Sequence, residues 1–347
     1  VACWGRNQAG QLGTGPAGNK LVATAVPGLA GAKGIAAGNA HSCALKADGS
    51  GYRLEWKEPL LKSSHRNFRP VDVKVGPDGA LYIADFYNPI ICHQDDYFRD
   101  PTRDFHHGRI WRLSVHDKPI VPPPKIPGAE ISGLLDLLKS PERWTRQKAK
   151  MELAQRPAAK VSGELNEWVG NLDPKDKLYD LHLLEALAAF ATMESVQPQL
   201  LDRVLNAKDH RARAFAARIA GRWQDRLENT TAFLFRAAND DHPQVRMEAI
   251  LACGQSKLPE AIKVAAQAVT RYPPDKWIEY AFTQTVYHQE RNWLPALTGG
   301  RLNFGNDTRA LAAVLQKRGS RDLLQTLLRL ANSKGIDLDY SGCVRPK

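Results

Sequence analysis

The densest group of side chains that could carry chemistry lies within sixteen consecutive residues. Its members are Cys92, His93, Asp95, Asp96, Asp100, Asp104, His106 and His107. Carboxylate oxygens are ligands that Ca²⁺ prefers, and thiol, imidazole and carboxylate groups together could hold a transition metal. The spacing matches no established metal motif, and no glycine interrupts the aspartates. Three interpretations stay open: a polar loop, a calcium or substrate contact using Asp95, Asp96 and Asp100, and a transition-metal site.

Other common catalytic patterns are absent from the sequence. No glycine-rich phosphate loop follows a predicted strand, and neither a G-x-S-x-G turn nor an H-E-x-x-H helix occurs. The five cysteines are at least 40 positions apart, so the chain has neither a C-x-x-C pair nor the C-x-x-C-H motif that attaches haem. We therefore expect no cofactor in this chain.

Charge and hydropathy limit the class of partner. The chain has 48 Lys and Arg against 37 Asp and Glu, a net charge of +11, but the excess is spread along its whole length. We therefore expect no nucleic-acid partner. Arg211, Arg218, Arg222 and Arg226 share one face of a predicted helix, which indicates a solvated outer surface. No stretch approaches the roughly 20 apolar residues of a membrane span, so none is expected.

Residues 1–50 are rich in glycine and predict short strands joined by turns. The ordered motifs are Trp4-Gly5-Arg6-Asn7, Gly10-Gln11-Leu12-Gly13-Thr14-Gly15, Val26-Pro27-Gly28-Leu29 and the run from Ile35 to Leu45. Together they resemble one repeat of the regulator of chromosome condensation type. The resemblance implies one β-propeller blade in which Cys3 and Cys43 come close enough for a disulfide. It implies no activity, because one blade cannot close a ring.

Residues 51–117 predict a second, different β segment. Residues 71–75 alternate in polarity, which predicts a strand, and Gly76-Pro77-Asp78-Gly79 is typical of a turn. Residues 80–84 predict the second strand of a hairpin. A third strand is expected at residues 109–115. This amounts to about one further blade.

The same region carries a second resemblance. The run from Asn67 to Ile91, with Arg99-Asp100-Pro101, Arg103-Asp104 and the run from His107 to Arg112, is similar to the end of the propeller in the PVC-type membrane-bound dehydrogenase family. In that family HEAT-type repeats and a c-type cytochrome domain follow the propeller. The resemblance implies that a set of residues faces the propeller channel: His93, Arg99, Asp100, Arg103, Asp104 and His107. Pyrroloquinoline quinone and calcium are implied only where the full propeller exists, and Cys92 replaces the family's usual glycine.

The remainder of the chain predicts a linker followed by helices. Residues 118–130 contain five prolines and predict an extended linker, residues 131–335 predict helices, and residues 336–347 form a tail. Arg146, Arg213 and Arg246 differ by 67 and 33 positions, and an alanine follows each at plus three: Ala149, Ala216 and Ala249. The pattern resembles short HEAT-type repeats, in which arginine reaches the preceding turn and alanine permits close helix packing.

These observations predict a multidomain β-then-α fold, with partial β-propeller blades followed by an α-solenoid of HEAT-type helical repeats. The predicted function is a non-catalytic binding or scaffold segment whose concave solenoid face binds a protein. The alternative is part of a quinoprotein-like sugar dehydrogenase that passes electrons to a cytochrome domain outside this chain. The abrupt change after Ser50 also leaves open a fusion of residues 1–50 to residues 51–347. Both resemblances imply a periplasmic or exported location.

Overall fold

The computed structural model describes residues 60–90, 100–117 and 119–319, together with the backbone of five strands between residues 2 and 55. Contacts divide the chain into two compact units, Val1–Arg156 and Pro157–Lys347. The first unit contains the strands, the proline-rich segment and the first two helices. The second contains the remaining ten described helices.

The strands form three small antiparallel sheets. Their bounds are β1 Ala2–Gly5, β2 Lys20–Ala25, β3 Gly34–Ala37, β4 Ser42–Leu45, β5 Tyr52–Glu55, β6 Pro70–Val75, β7 Leu81–Asp85 and β8 Arg109–Leu113. The sheets have the orders β1-β2, β3-β4-β5 and β6-β7-β8. Strand β5 pairs with β4, so the middle sheet extends across the position where we expected the first blade to end.

The expected propeller is not what the described strands show. Each sheet has two or three strands, whereas a propeller blade has four and needs neighbouring blades around a channel. Every residue of β6 is exposed, so no neighbouring blade covers that strand. The described residues therefore support small sheets, and the propeller assignment stays a prediction from resemblance.

The β6-β7-β8 sheet confirms the predicted hairpin and third strand. Gly79 ends the connecting turn at a φ of +74°, a backbone conformation that glycine adopts without steric cost. Asp78 accepts hydrogen bonds from the Ala80 N–H, the Tyr82 hydroxyl and Arg112 Nε, at distances of 3.1, 3.0 and 2.8 Å. One aspartate thus fixes the turn to both β7 and β8.

The proline-rich segment is not a free spacer. The N–H of Val121 donates to the Asp78 carbonyl at 3.2 Å, and Ile126 is buried. Arg156 Nη2 donates to the Ala129 carbonyl and to Glu152. The segment and the two helices after it are therefore tied into the first unit, because these contacts all lie within Val1–Arg156.

Twelve described helices follow the strands. Their bounds are α1 Ile131–Asp136, α2 Arg143–Leu153, α3 Ala158–Gly170, α4 Tyr179–Thr192, α5 Pro198–Leu205, α6 His210–Arg222, α7 Thr230–Ala238, α8 Pro243–Gly254, α9 Ala261–Thr270, α10 Lys276–His288, α11 Glu290–Thr298 and α12 Thr308–Arg318. A 3₁₀ turn at Leu137–Lys139 separates α1 from α2. The part of the predicted helical region beyond residue 319 lies outside the described residues.

The helices of the second unit pack in two rows. In row A, α4, α6, α8 and α10 contact one another in succession, and in row B, α5, α7, α9 and α12 do the same. Each row A helix also packs against a row B helix, as α8 does against α7 and α9. This arrangement confirms the prediction of stacked helical repeats in the described part of the chain.

The predicted arginines hold the repeat in register. Arg146, Arg213 and Arg246 each donate from Nη1 to the carbonyl oxygens six and five residues earlier, at distances from 2.7 to 3.0 Å. Three row A helices, α6, α8 and α10, are capped by residues 33 positions apart, Asp209, His242 and Asp275, each of which accepts from the N–H two residues later. We call the arginine contacts the arginine clamps.

One clamp also joins neighbouring repeats. Arg213 donates from Nε and Nη2 to both carboxylate oxygens of Asp240, at 2.7 and 2.9 Å, and both side chains are largely buried. Burial alone would raise the pKa of Asp240, but hydrogen bonds with Arg213, the His242 N–H and Asp241, together with the charge of Arg213, lower that pKa below its ordinary value. The turn before α6 is therefore fastened to the turn before α8.

Small residues set the distance between row A helices. Ala149, Ala216 and Ala249 are fully buried, as predicted. Gly221 is needed because a β-carbon there would lie 2.5 Å from the β-carbon of Ala252. Gly221 is the last residue but one of α6 and Gly254 the last of α8, so both glycines lie at helix ends, and Gly221 also serves close helix packing.

This packing generates the first prediction. Gly221→Ala should destabilise the chain by about 1–3 kcal/mol, because α6 and α8 must separate to admit the methyl group. Gly163→Ala is the matched control, since nothing lies within 4 Å of the added carbon in α3. It should stabilise the chain by about 0.5–1 kcal/mol through helix propensity. Urea unfolding measures both, and equal effects from the two substitutions would contradict the packing described.

Candidate functional site

The predicted polar loop is described only in part. Asp100, Arg103, Asp104, His106 and His107 lie in the described residues. The other candidates, Cys92, His93, Asp95, Asp96 and Arg99, lie outside them. Whether the two groups come together therefore stays a prediction.

The described aspartates of the loop organise its turns. Asp100 Oδ1 accepts from both the N–H and the hydroxyl of Thr102, at 2.8 and 2.5 Å. Asp104 Oδ1 accepts from the N–H groups of His106 and His107, both at 3.0 Å. Each carboxylate thus closes its own turn.

The side chains of Asp104 and His107 also lie within ion-pair distance, with Nδ1 of His107 2.9 Å from Oδ2 of Asp104. The hydrogen bond from the His106 N–H, supported by those from His107, lowers the pKa of Asp104 below its ordinary value. A charged carboxylate beside an imidazole could orient a substrate hydroxyl. The imidazole is 72% exposed, however, and the described residues around it form no enclosing wall.

No group of three or more potential metal-binding side chains occurs among the residues that the structure describes. Asp100 is engaged by Thr102 and is the only described member of the calcium candidate set. The calcium assignment for Asp95 and Asp96 stays a prediction, because neither residue is described.

Sequence reasoning missed the most buried carboxylate of the first unit, that of Asp85. Its oxygens accept from the Arg69 N–H, the Tyr87 N–H and Trp111 Nε1, at 2.8, 2.9 and 2.9 Å. Burial alone would raise the pKa of Asp85, but these hydrogen bonds and the nearby Arg109 outweigh it and lower the pKa. Asp85 is only 3% exposed, so it fastens the sheet rather than meeting a ligand.

The predicted arginine stripe of α6 is exposed, but its side chains are not merely solvated. Arg218 makes a two-point contact with Glu248 of α8, through Nε and Nη2. Arg222 and Arg226 both donate to Glu194, which precedes α5. These arginine hydrogen bonds lower the pKa of Glu194 below its ordinary value. The stripe therefore links α6 to the neighbouring repeats on both sides.

An open groove lies beside this stripe, where α6 and α8 end. Its volume is roughly 810 Å³. The lining residues are Arg218, Gly221, Arg222, Gln224, Asp225, Gln255, Ser256, Lys257 and Leu258. Three of the lining residues are cationic and one is anionic. Arg218 and Arg222 are also paired with Glu248 and Glu194, which do not line the groove.

The predicted disulfide partners fall in separate described strands. Cys3 lies in β1 and Cys43 in β4, which belong to different sheets. Their side chains lie outside the described residues, so the pairing stays a prediction. Cys253 is a fully buried thiol in α8, as expected, and burial raises its pKa to about 12.

Comparison with known families gives two partial matches. A model described as a domain of unknown function (DUF7133) matches residues 12–117, and a model of HEAT repeats matches residues 197–284. Residues 197–284 are HEAT-type repeats. The first match runs across residues 50 and 51, and neither match is to the two families that the β segments resemble. No curated protein and no solved structure matches the chain significantly.

The HEAT match covers the part of the chain where two turns meet through histidines. The rings of His210 and His242 stack with their centres 3.6 Å apart. Nδ1 of His242 accepts from the N–H of Gln244 at 3.2 Å and so caps α8. A proton on that nitrogen would remove the cap, because a protonated imidazole has no acceptor.

The histidine stack generates the second prediction. Burial, the neighbouring His210 and Arg213 lower the pKa of His242 below 6.5, although Asp240 and Asp241 oppose them. The unfolded chain therefore binds this proton more readily than the folded chain. The contribution of neutral His242 to stability is present above pH 6.5 and is lost as the pH falls through the lowered pKa.

His242→Asn tests this, because asparagine caps a helix and does not titrate. Urea unfolding of the variant should change less between pH 8 and pH 5 than that of the wild-type protein. His116→Asn, at an exposed turn, should keep the wild-type pH dependence. An unaltered pH dependence in His242→Asn would exclude His242 as its source.

Proposed function

We propose that this chain is a non-catalytic binding or scaffold segment that engages a protein partner through its HEAT-type repeats. The observation that carries the proposal is the stacking of repeats in the second unit, where the caps of α6, α8 and α10 lie 33 residues apart and the clamps of Arg213 and Arg246 tie two of the turns. Stacked repeats of this kind form an extended binding surface. Binding to the concave face of the solenoid is part of the proposal.

The dehydrogenase alternative has less support from the described residues. A channel site needs side chains that are free to contact substrate and cofactor. Asp100 and Asp104 instead close turns of their own loop. We also propose a periplasmic or exported location for the chain, which is supported only by the two sequence resemblances.

The third prediction concerns catalysis. Purified chain mixed with pyrroloquinoline quinone, calcium, a panel of aldoses and an electron-accepting dye should reduce no dye above background. The reason is that the described sheets supply no closed channel around the loop. Turnover that His93→Ala and His107→Ala abolish would overturn the scaffold proposal and support the dehydrogenase alternative.

The fourth prediction concerns the binding surface. A photo-crosslinking amino acid placed at Leu258 or Phe235, both exposed in the repeat unit, should give a discrete protein adduct in cells that express the full chain. Placement at Ile110, which is 75% exposed on the sheet, is the matched control and should give none. Gel electrophoresis with mass spectrometry identifies the adducts. Adducts from Ile110 alone, or from none of these positions, would contradict binding through the repeats.

A further inference from the structure

We propose that the groove at the ends of α6 and α8 binds an acidic peptide segment of the protein partner. This proposal rests on the proposed function and assigns the partner's chemistry. The groove is defined by the residues that line it, above all Arg218, Arg222, Lys257 and Leu258.

The close packing of α6 and α8 creates the floor of the groove. Gly221 lines it without a side chain, because a β-carbon there would meet Ala252. Gly221 is itself buried, and its missing β-carbon would point into the contact between α6 and α8. The floor of the groove is therefore two closely packed helix ends.

The cations that line the groove keep donors available. Lys257 is exposed and makes no hydrogen bond or ion pair among the described residues, so its ammonium group offers three donors. Arg218 binds Glu248 through Nε and Nη2, which leaves both Nη1 hydrogens. Arg222 binds Glu194 through Nη2, which leaves Nε and Nη1.

The existing ion pairs hold these arginines in place. Glu248 is nearly buried and contacts Arg218 at two points, so the guanidinium is fixed before any ligand arrives. Glu194 pairs with Arg222 through Nη2 alone and is itself about half exposed, so it restrains Arg222 more weakly. Restraint of this kind reduces the entropy that a ligand must overcome when it binds.

The lining favours an acidic peptide over a nucleic acid. Asp225 lines the groove beside Arg222 and interrupts its positive charge, so the lining lacks the continuous row of cations that a phosphate chain uses. Leu258 is 46% exposed in the groove and offers an apolar contact that a sugar-phosphate backbone does not use. A peptide that carries both carboxylate and leucine side chains matches both features of the lining.

The test uses the full chain and a fluorescein-labelled ten-residue peptide of alternating glutamate and leucine. Fluorescence anisotropy should show saturable binding that weakens with added salt. A peptide with lysine in place of glutamate and a single-stranded RNA of ten nucleotides are the two comparison ligands. Tighter binding of either one than of the acidic peptide would overturn the proposal.

Charge reversal locates the binding. Arg222→Glu with Lys257→Glu should raise the Kd for the acidic peptide by about tenfold or more, since two attractive contacts become repulsive. Lys160→Glu with Lys177→Glu makes the same charge change outside the groove lining and should alter the Kd by less than about twofold. Equal loss in both double variants would show general charge attraction and overturn the proposal.

A second variant guards against misfolding. Lys257→Glu alone alters an exposed residue with no described partner, so it should leave the melting temperature unchanged and still raise the Kd by about threefold. An unchanged Kd would overturn the assignment of Lys257. Failure of peptide binding alongside a protein adduct at Phe235, outside the groove lining, would refute the groove assignment only, whereas loss of both results would refute the proposed function as well.

Discussion

The arginine clamp is the interaction on which the second unit depends. A guanidinium group is planar and has more donors than one carbonyl can accept, so a single Arg213 closes its own turn and still binds Asp240 of the next. Lysine could not satisfy this geometry, because its ammonium is a point charge. Asp180 lies 33 positions before Arg213 and occupies the equivalent position in α4. There the carboxylate of Asp180 accepts from the N–H of Asp209, which links α4 to the turn before α6. The connection between turns is therefore kept even where the residue type changes.

Sequence reasoning worked where the deciding contacts are local. The hairpin at β6 and β7 depends on four turn residues, and the clamps depend on an arginine and carbonyl groups five and six positions away. These patterns are visible in a single sequence because their spacing is fixed by local backbone geometry.

Contacts between distant residues could not be predicted in the same way. Asp85 is fastened by Trp111, 26 residues later, and Arg218 meets Glu248 across two helices. Nothing in the order of the residues marks these partners before the strands and helices are placed. Gly221 lies at the end of α6 and also in its contact with α8, and the second role becomes visible only once both helices are placed. In the polar loop, the residue types indicated possible chemistry, but the carboxylates of Asp100 and Asp104 accept hydrogen bonds that close turns of the backbone.

The constant interval of the capping residues has an evolutionary consequence. Asp209, His242 and Asp275 lie 33 residues apart, and each caps a row A helix. A duplication or deletion of one such interval would bring a cap back into an equivalent position, whereas a change of a few residues would not. Descendants of this chain can therefore lengthen or shorten by whole repeats, and the spacing of their surface charges would change in the same increments.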